Sequence, residues 1–356
     1  MHFILRRLAG VLTAAAVTGG LLLTAPIPTA TAAATDDPAR TGLFGGQDAT
    51  FDGVYRQSLS LIALDAAGAR APRSAVKWLL RQQCSNGKFT SFRADLDAKC
   101  GAYDSNATAL AVMALKAVGE GRAARTSLDW LLGKQLRGGG WEYSPGWGAD
   151  ASSTGYVVQA MITMGVNPRS VARHASGPQY LRRSQLDCSH PVAAERGALT
   201  YLGSADAFST VQATPALTRS ALPIKPAQLE TTLPRILCTA GATRPSAAAA
   251  AAGYLGRLIR VNDGTVPGLD GDPSYGNTAN AVLSMVAAGF GARQVNAAMH
   301  QLEANAADYT RDVADQVVPG AAALVVLAEL ATSGSPRDVE GLNLVRDILR
   351  SRTRAG

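Results

Sequence analysis

The sequence predicts an all-α protein made of about six helix pairs, arranged as an inner and an outer layer. The first observation is a gapless repeat of about 50 residues, whose matched positions are Trp78, Gln83, Gly87 and Phe89 in one copy and Trp130, Gln135, Gly139 and Trp141 in the next. The second is an Asp-x-x-x-Thr motif that follows each copy and opens an apolar run ending at glycine. No segment shows the alternation of a strand. Because a two-helix unit cannot bury its apolar faces alone, such units stack on their neighbours.

The Asp-x-x-x-Thr motif predicts the start of an inner helix. Asp104 and Asp150 are predicted N-caps, because a carboxylate there accepts a backbone N–H and lies at the positive helix end. The run over 107–118 is apolar nearly all round, which predicts burial on both sides. Gly119 and Gly165 are predicted to end these helices in the left-handed conformation. The helices that carry Trp78 and Trp130 are amphipathic, so we assign them to the outer layer.

Weaker copies extend the pattern to both sides. Further inner helices are predicted to start at Gly53, Asp206 and Ser274, further outer helices include Tyr180 and Tyr254, and a last pair covers 319–330 and 337–350. The segment 221–245 fits least well, because it holds four prolines, and we predict an irregular crossing or a boundary between two blocks there. The repeats are predicted to span 48–352, after a flexible linker at 35–47.

The N-terminus has the pattern of a secretion signal. Arg6 and Arg7 precede an uncharged apolar stretch over 8–23, and small residues lead to a predicted cleavage site near Ala33 or Ala34. The alternative is a retained membrane anchor, for which this stretch is short. We predict a signal peptide at 1–34 and a secreted protein, either extracellular or associated with the cell envelope.

The overall charge is mildly basic. The formal net charge is +7, and it is +5 without 1–33, which hold two arginines and no acid. The charged residues are scattered along the sequence, and no basic stripe is interleaved with aromatic residues, so a nucleic-acid partner is excluded. No other uncharged segment approaches the length of a membrane span, so no span is predicted in the mature chain.

The four cysteines predict two disulfides, because an even number in an exported protein favours pairing. Of the three possible connectivities we favour the sequential one, Cys84 with Cys100 and Cys188 with Cys238. Free thiols are the alternative. The spacings match no zinc pattern, and no metal or cofactor is predicted.

The repeated motif resembles the glutamine–tryptophan repeat of the prenyltransferase and squalene cyclase superfamily, well over 48–200 and patchily over 206–350. The resemblance implies an α/α toroid, in which inner helices form a barrel, outer helices wrap it, and any active site lies at one mouth. It also implies that the glutamine and the aromatic residues tie successive repeats together. The implied structural residues are Trp78, Gln83, Phe89, Trp130, Gln135 and Trp141.

The catalytic motifs of that superfamily are incomplete in this chain. The nearest matches to the cyclase motif Asp-x-Asp-Asp start at Asp95 and Asp270 and lack the last acid. The segment 187–190 has the Asp, Cys and His of a prenyltransferase zinc site, but its adjacent Asp and Cys give poor ligand geometry. We therefore predict a non-catalytic monomer that binds a small molecule, a glycan or a protein partner at the barrel mouth. An isoprenoid cyclase or prenyltransferase-like enzyme is the first alternative.

The second alternative is a glycan-active hydrolase built on an (α/α)6 barrel, which needs two carboxylic acids across the mouth. Asp104, Asp150, Asp206 and Asp272 could supply them, although the same residues are predicted to cap helices.

Two connections supply the candidate binding residues. The glycine-rich loop 138–150 holds Trp141, Tyr143, Trp147 and Asp150. The three aromatic rings could stack on a sugar or an isoprenoid, or they could pack between repeats. The loop 263–277 holds Asp270, Asp272 and Tyr275. Its acidic spacing suggests a calcium or paired-carboxylate site, but the glutamate that closes a calcium loop is missing, and a plain turn-rich connection is the alternative.

Overall fold

A computed structural model describes residues 39–170 and 175–354, so the predicted signal peptide and the first four residues of the predicted linker, 35–38, lie outside the described residues. The helices are α1 (Gly53–Ala66), α2 (Arg73–Gln82), α3 (Ser105–Ala117), α4 (Gly121–Leu132), α5 (Ala151–Thr163), α6 (Gly177–Arg183), α7 (Ala207–Leu217), α8 (Ala247–Val261), α9 (Tyr275–Ala288), α10 (Ala292–Ala304), α11 (Ala306–Thr310), α12 (Pro319–Ala331) and α13 (Leu344–Arg350).

Six of these helices close a ring. In order, α1, α3, α5, α7, α9 and α12 pack side by side, and α12 returns to pack on α1. The partners α2, α4, α6, α8, α10 and α13 lie outside them, each against the inner helix that precedes it. The predicted α/α toroid of about six helix pairs is therefore confirmed, and the C-terminal part of the chain belongs to the same ring. The last outer helix is shorter than predicted, because turns occupy 332–343.

Three short antiparallel ribbons were not predicted from the sequence. They pair β1 (Trp141–Glu142) with β2 (Ala149–Asp150), β3 (Thr200–Tyr201) with β4 (Ser204–Ala205), and β5 (Val266–Pro267) with β6 (Pro273–Ser274). Each strand is two residues long, which is too short for an alternating pattern to be visible. Each ribbon lies just before an inner helix and turns the connection outward.

The predicted N-caps begin the inner helices. Asp104, Asp150 and Asp206 each accept a hydrogen bond from the backbone N–H three residues ahead, at 2.7–2.8 Å. Ser274 does the same for α9, at 3.2 Å from the N–H of Asn277. The prediction that Asp272 caps a helix is wrong: this residue belongs to the turn before β6, where its carbonyl accepts from the N–H of Gly268.

The threonine of each Asp-x-x-x-Thr motif binds the connection that precedes its helix. The hydroxyls of Thr108, Thr154, Thr210 and Thr278 accept hydrogen bonds of 2.9–3.0 Å from the backbone N–H groups of Phe89, Trp141, Leu199 and Val266. Three of these hydroxyls also donate to the carbonyl of the cap residue. The start of the helix and the end of the connection are thereby held together at four places in the ring.

The repeated glutamines reach the next outer helix. The Gln83 amide donates to the carbonyl of Ala123 and to the Ser127 hydroxyl, both on α4. Gln135 donates to the carbonyl of Ala175 just before α6, and Gln185 repeats this contact with Ala247 of α8. These bonds cross from one helix pair to the next.

The chain forms the disulfides Cys84–Cys100 and Cys188–Cys238 and has no free cysteine among its described residues. This is the sequential pairing. The first bridge closes the connection between α2 and α3, and the second ties the connection before α7 to the non-helical segment before α8.

The repeated glycine approaches the next helix pair closely. Gly139 has φ of +91°, and a Cβ placed on it would lie 2.4 Å from the carbonyl oxygen of Ala175. Gly87 and Gly197 have the same geometry against Thr126 and Ala250. A side chain at these positions meets backbone, which has little room to move.

We expect Gly139→Ala to destabilise the fold more than Gly119→Ala. The control glycine has φ of +85° but no atom within 4 Å of the added Cβ, so it reports only the left-handed strain of about 1–2 kcal/mol. The overlap at Gly139 adds about 1–3 kcal/mol. Thermal or urea unfolding of the two variants measures the difference, and equal losses would show that the close approach is relaxed at no cost.

A buried carboxyl group lies at the end of the barrel opposite the caps. Glu329 of α12 is only 4 % exposed, and one of its oxygens has no hydrogen-bond partner among the described residues. Burial, reinforced by the neighbouring carboxylate of Glu303, raises the pKa of Glu329 from 4.5 to about 7. The folded protein therefore binds a proton here that the unfolded chain releases near pH 4.5.

This shift predicts a pH-dependent effect of Glu329→Gln. Because the folded pKa is the higher one, stability from the protonated group is full below about pH 4.5 and is lost as the pH rises through about 7. The variant should match the native protein near pH 4.5 and exceed its stability at pH 8 by up to about 3 kcal/mol. Unfolding curves at several pH values test this; a stability difference that stays constant across the range contradicts it.

Candidate binding site at the barrel mouth

The six inner helices begin at one end of the barrel, which we call the mouth. They share this direction because each inner helix is followed by an antiparallel outer helix that returns the chain. The mouth is built from the connections that enter the inner helices, residues 39–52, 83–104, 133–150, 184–206, 262–274 and 305–318.

A cavity of about 580 Å³ opens at the mouth between the β1–β2 and β3–β4 hairpins. Its lining is mostly apolar and includes the side chains of Tyr143, Trp147, Tyr180, Tyr201, Leu202, Phe208 and Leu269. Polar groups at its base come from Asn106, Asp150, Ser152 and Asp206. One buried oxygen of Asn106 has no hydrogen-bond partner among the described residues.

Trp147 stands at the rim of this cavity on a loop that Glu142 organises. One carboxylate oxygen of Glu142 accepts hydrogen bonds from the backbone N–H groups of Gly146, at 3.0 Å, and Gly148, at 3.2 Å. The other accepts from the Tyr103 hydroxyl. Trp147 packs edge-on against Tyr143, with ring centroids 5.7 Å apart, and is still 67 % exposed. The indole is therefore held in place without being covered.

The carboxylates of this cavity are engaged with the helices they cap. Both oxygens of Asp150 accept hydrogen bonds of 2.7 Å, from the backbone N–H and the hydroxyl of Ser153. Burial raises the pKa of Asp150, and these hydrogen bonds oppose the rise. Asp206 accepts from the N–H of Ser209 in the same way. The two carboxylates serve first to start α5 and α7.

Asp104 lies on the other side of Tyr143, below a separate polar hollow of about 380 Å³ beside the Cys84–Cys100 bridge. It is 6 % exposed, and its second oxygen accepts from the Ser91 hydroxyl at 2.9 Å. Burial raises the pKa of Asp104, against the hydrogen bonds from Ala107, Ser91 and Tyr143. Tyr143 thus separates the apolar cavity from this buried acid.

The structure brings together three of the seven predicted binding residues, Tyr143, Trp147 and Asp150. Trp141 lies outside the cavity: it is 1 % exposed, and its indole N–H donates to the carbonyl of Leu131 at 2.7 Å. Trp141 packs as Phe89 does in the preceding repeat.

The second predicted loop is placed differently. Asp270 and Asp272 are exposed outside the cavity, and the N–H of Asp272 donates to the Asp270 carboxylate at 3.2 Å. Tyr275 packs on Tyr309, with centroids 5.6 Å apart, and lines a different hollow. Across the described ranges, no group of three or more His, Cys, Asp or Glu side chains could hold a metal ion.

Sequence reasoning missed the other wall of the cavity. Tyr201 and Leu202 belong to the β3–β4 hairpin, Phe208 follows it, and Leu269 comes from the next connection. The available signal was the Asp206 cap. Aligning it with Asp150 makes 200–206 the counterpart of 141–150 and marks its apolar residues as mouth residues.

No protein-family model and no curated protein sequence matches the chain. Solved structures do match. A protein from Actinoplanes has 18 % identity and a TM-score of 0.55 over 83 % of this chain and 96 % of that one. An ent-copalyl diphosphate synthase from Streptomyces platensis has 16 % identity and a TM-score of 0.53, and the match covers 79 % of this chain and 50 % of the synthase. An α-amylase from Clostridium perfringens has 12 % identity and a TM-score of 0.51, and the match covers 83 % of this chain and 94 % of the amylase. These likenesses establish the toroid fold, and since proteins of different activities share it, the fold leaves the activity open.

We expect Glu142→Ala to loosen the loop that carries Trp147. Two backbone N–H groups lose a charged acceptor, so amide exchange in 143–148 should accelerate about tenfold or more. Hydrogen–deuterium exchange of peptides from this loop measures the effect. Glu120→Ala is the control, because Glu120 makes no side-chain capping bond and begins α4 at the opposite end. Unchanged exchange in the Glu142 variant would mean that the loop is held by other contacts.

Proposed function

We propose that the protein is an exported, non-catalytic binding protein whose barrel mouth receives the apolar or aromatic part of a ligand. The observation that carries this proposal is the mouth cavity, with Trp147 fixed at its rim and largely exposed. Ligand sites are typically preformed, mainly apolar hollows of about 300–1,000 Å³ with a few placed polar groups. Asn106 and Ser152 supply such polar groups at the base.

Export is supported by two features. The N-terminal sequence has the pattern of a signal peptide, and the two disulfides are typical of an oxidising compartment. In the part of the chain that the structure describes, no helix is long and apolar enough to cross a bilayer.

A glycan-active hydrolase is the second candidate, because Asp150 and Asp206 line the same cavity. The engagement of both carboxylates as helix caps favours binding over acid catalysis. Release of reducing ends from soluble starch or a similar glycan, lost in Asp206→Asn, would establish the enzyme instead. Asp270 and Asp272, which belong to one of the nearest matches to the cyclase motif, lie on an exposed loop outside the cavity, and this placement disfavours a cyclase.

We expect Trp147→Ala to weaken binding of a neutral apolar probe, Nile red, by about tenfold, since burying an aromatic ring contributes about 1.5–3 kcal/mol. A fluorescence titration measures the dissociation constant. Phe51→Ala is the matched control: Phe51 is also exposed at the mouth but does not line the cavity. Equal affinities for the native protein and the Trp147 variant would remove the proposed cavity site.

A further inference from the structure

Exposed apolar residues are concentrated at the mouth. Seven of the ten large apolar side chains that are exposed among the described residues lie in the six mouth connections. Five connections carry one that is at least two-thirds exposed, and these residues, which we call the crown, are Phe51, Trp147, Leu202, Leu269 and Val313. Since each of these residues comes from a different connection, the arrangement does not result from a single apolar stretch of the sequence. Trp147, Leu202 and Leu269 line the same cavity, and exposed apolar side chains gathered in this way are typical of an interaction site.

Leu202 shows that this exposure has a conformational cost. It is 87 % exposed and has φ of +50°, followed by Gly203 at +87°, in the two-residue turn between β3 and β4. Such turns strongly favour asparagine or glycine at the first position. Of the six non-glycine residues with positive φ in the described ranges, Leu202 is the one with an apolar side chain. A strained residue that buries nothing in the fold points to a contact outside it.

The mouth connections are also acidic, although the charged residues are scattered along the sequence. The six connections contain sixteen acidic and eight basic residues, a formal charge of −8, in a chain of net charge +7. Arginines of the flanking helices, Arg56, Arg81, Arg183 and Arg257, donate to these connections and offset about half of that charge. The connection that carries Leu269 holds Asp263, Asp270 and Asp272 and no basic residue. The alternation of inner and outer helices brings these connections, which are distant in the sequence, to one end.

We propose that the crown docks a cationic, amphipathic polypeptide segment, with apolar side chains entering the cavity and lysine or arginine side chains meeting the surrounding carboxylates. This inference rests on the proposed function and names its ligand class. The charge decides among the possible occupants. An anionic lipid surface would be repelled by the mouth, and a second copy placed mouth to mouth would set acid against acid.

The test compares synthetic peptides on the folded full-length mature protein. A helical peptide of leucine and lysine should bind, more weakly at high than at low salt. The same peptide with glutamate in place of lysine, or with serine in place of leucine, should bind at least about tenfold more weakly. Equal binding of the lysine and glutamate peptides would overturn the proposal. If no peptide binds while Nile red still does, the inference fails and the proposed cavity site stands.

Leu202→Asn separates docking from folding, because its two effects have opposite signs. Asparagine suits the left-handed turn, so Tm should rise by about 2 °C or more, while affinity for the leucine–lysine peptide should fall about tenfold. Glu340→Asn is the matched control. It lies at the opposite end in the same kind of turn, with φ of +48° before Gly341 at +81°, and should change stability alone.

The outcomes of these variants are distinct. A Leu202→Asn protein that is more stable but binds the peptide as before would overturn the proposal. Leu269→Ser offers the same comparison without a change of turn, since Leu269 is fully exposed. Binding of the native protein to vesicles containing phosphatidylserine, lost in both variants, would assign the crown to a lipid surface and would equally overturn it.

Discussion

The hydrogen bond between a threonine hydroxyl and the backbone of the preceding connection is the interaction on which the mouth depends. In four repeats it joins the first turn of an inner helix to the residue that enters the barrel wall, Phe89, Trp141, Leu199 or Val266. All four threonines are fully buried. A buried N–H left without its acceptor costs about 1–3 kcal/mol, so these bonds set where each connection leaves the core. The chain between that point and the next cap must then project outward.

This arrangement divides these four mouth connections into a fixed base and a projecting tip. At the base, an aromatic or aliphatic residue packs inward, and in three of the connections a glutamine reaches the next outer helix and a glycine lets the two backbones approach. At the tip, the side chains are free of the core, and their positions are set by short ribbons and by contacts such as those of Glu142. A surface held this way loses little conformational entropy on binding, which favours affinity.

The same division explains how much the sequence could predict. Helix caps and closing glycines depend on local sequence, so the roles of Asp104, Asp150 and Gly119 could be predicted. The repeat predicted the ring of helix pairs. Trp141 and Trp147 look alike in a glycine-rich loop, and only the bond of Trp141 to Thr154 separates the base residue from the tip residue. The Asp206 cap places Leu202 at the mouth, but the exposure and positive φ of Leu202 depend on the hairpin and had no sequence signal. The acidity of the mouth could not be predicted, because its acidic residues are far apart in the sequence.

Part of the acidity of the mouth follows from the fold. The inner helices point their positive ends at the mouth, each equivalent to about half an elementary charge, and the antiparallel outer helices place their negative ends there and oppose this field. Asp104, Asp150 and Asp206 lie at the positive ends as caps. The six connections hold sixteen acidic residues, so most of the acidic residues cap no inner helix. Among them are Asp270 and Asp272, which cap no helix and stand exposed beside Leu269. Since they cap no helix, we ascribe their place next to the most exposed apolar tips to what the mouth binds.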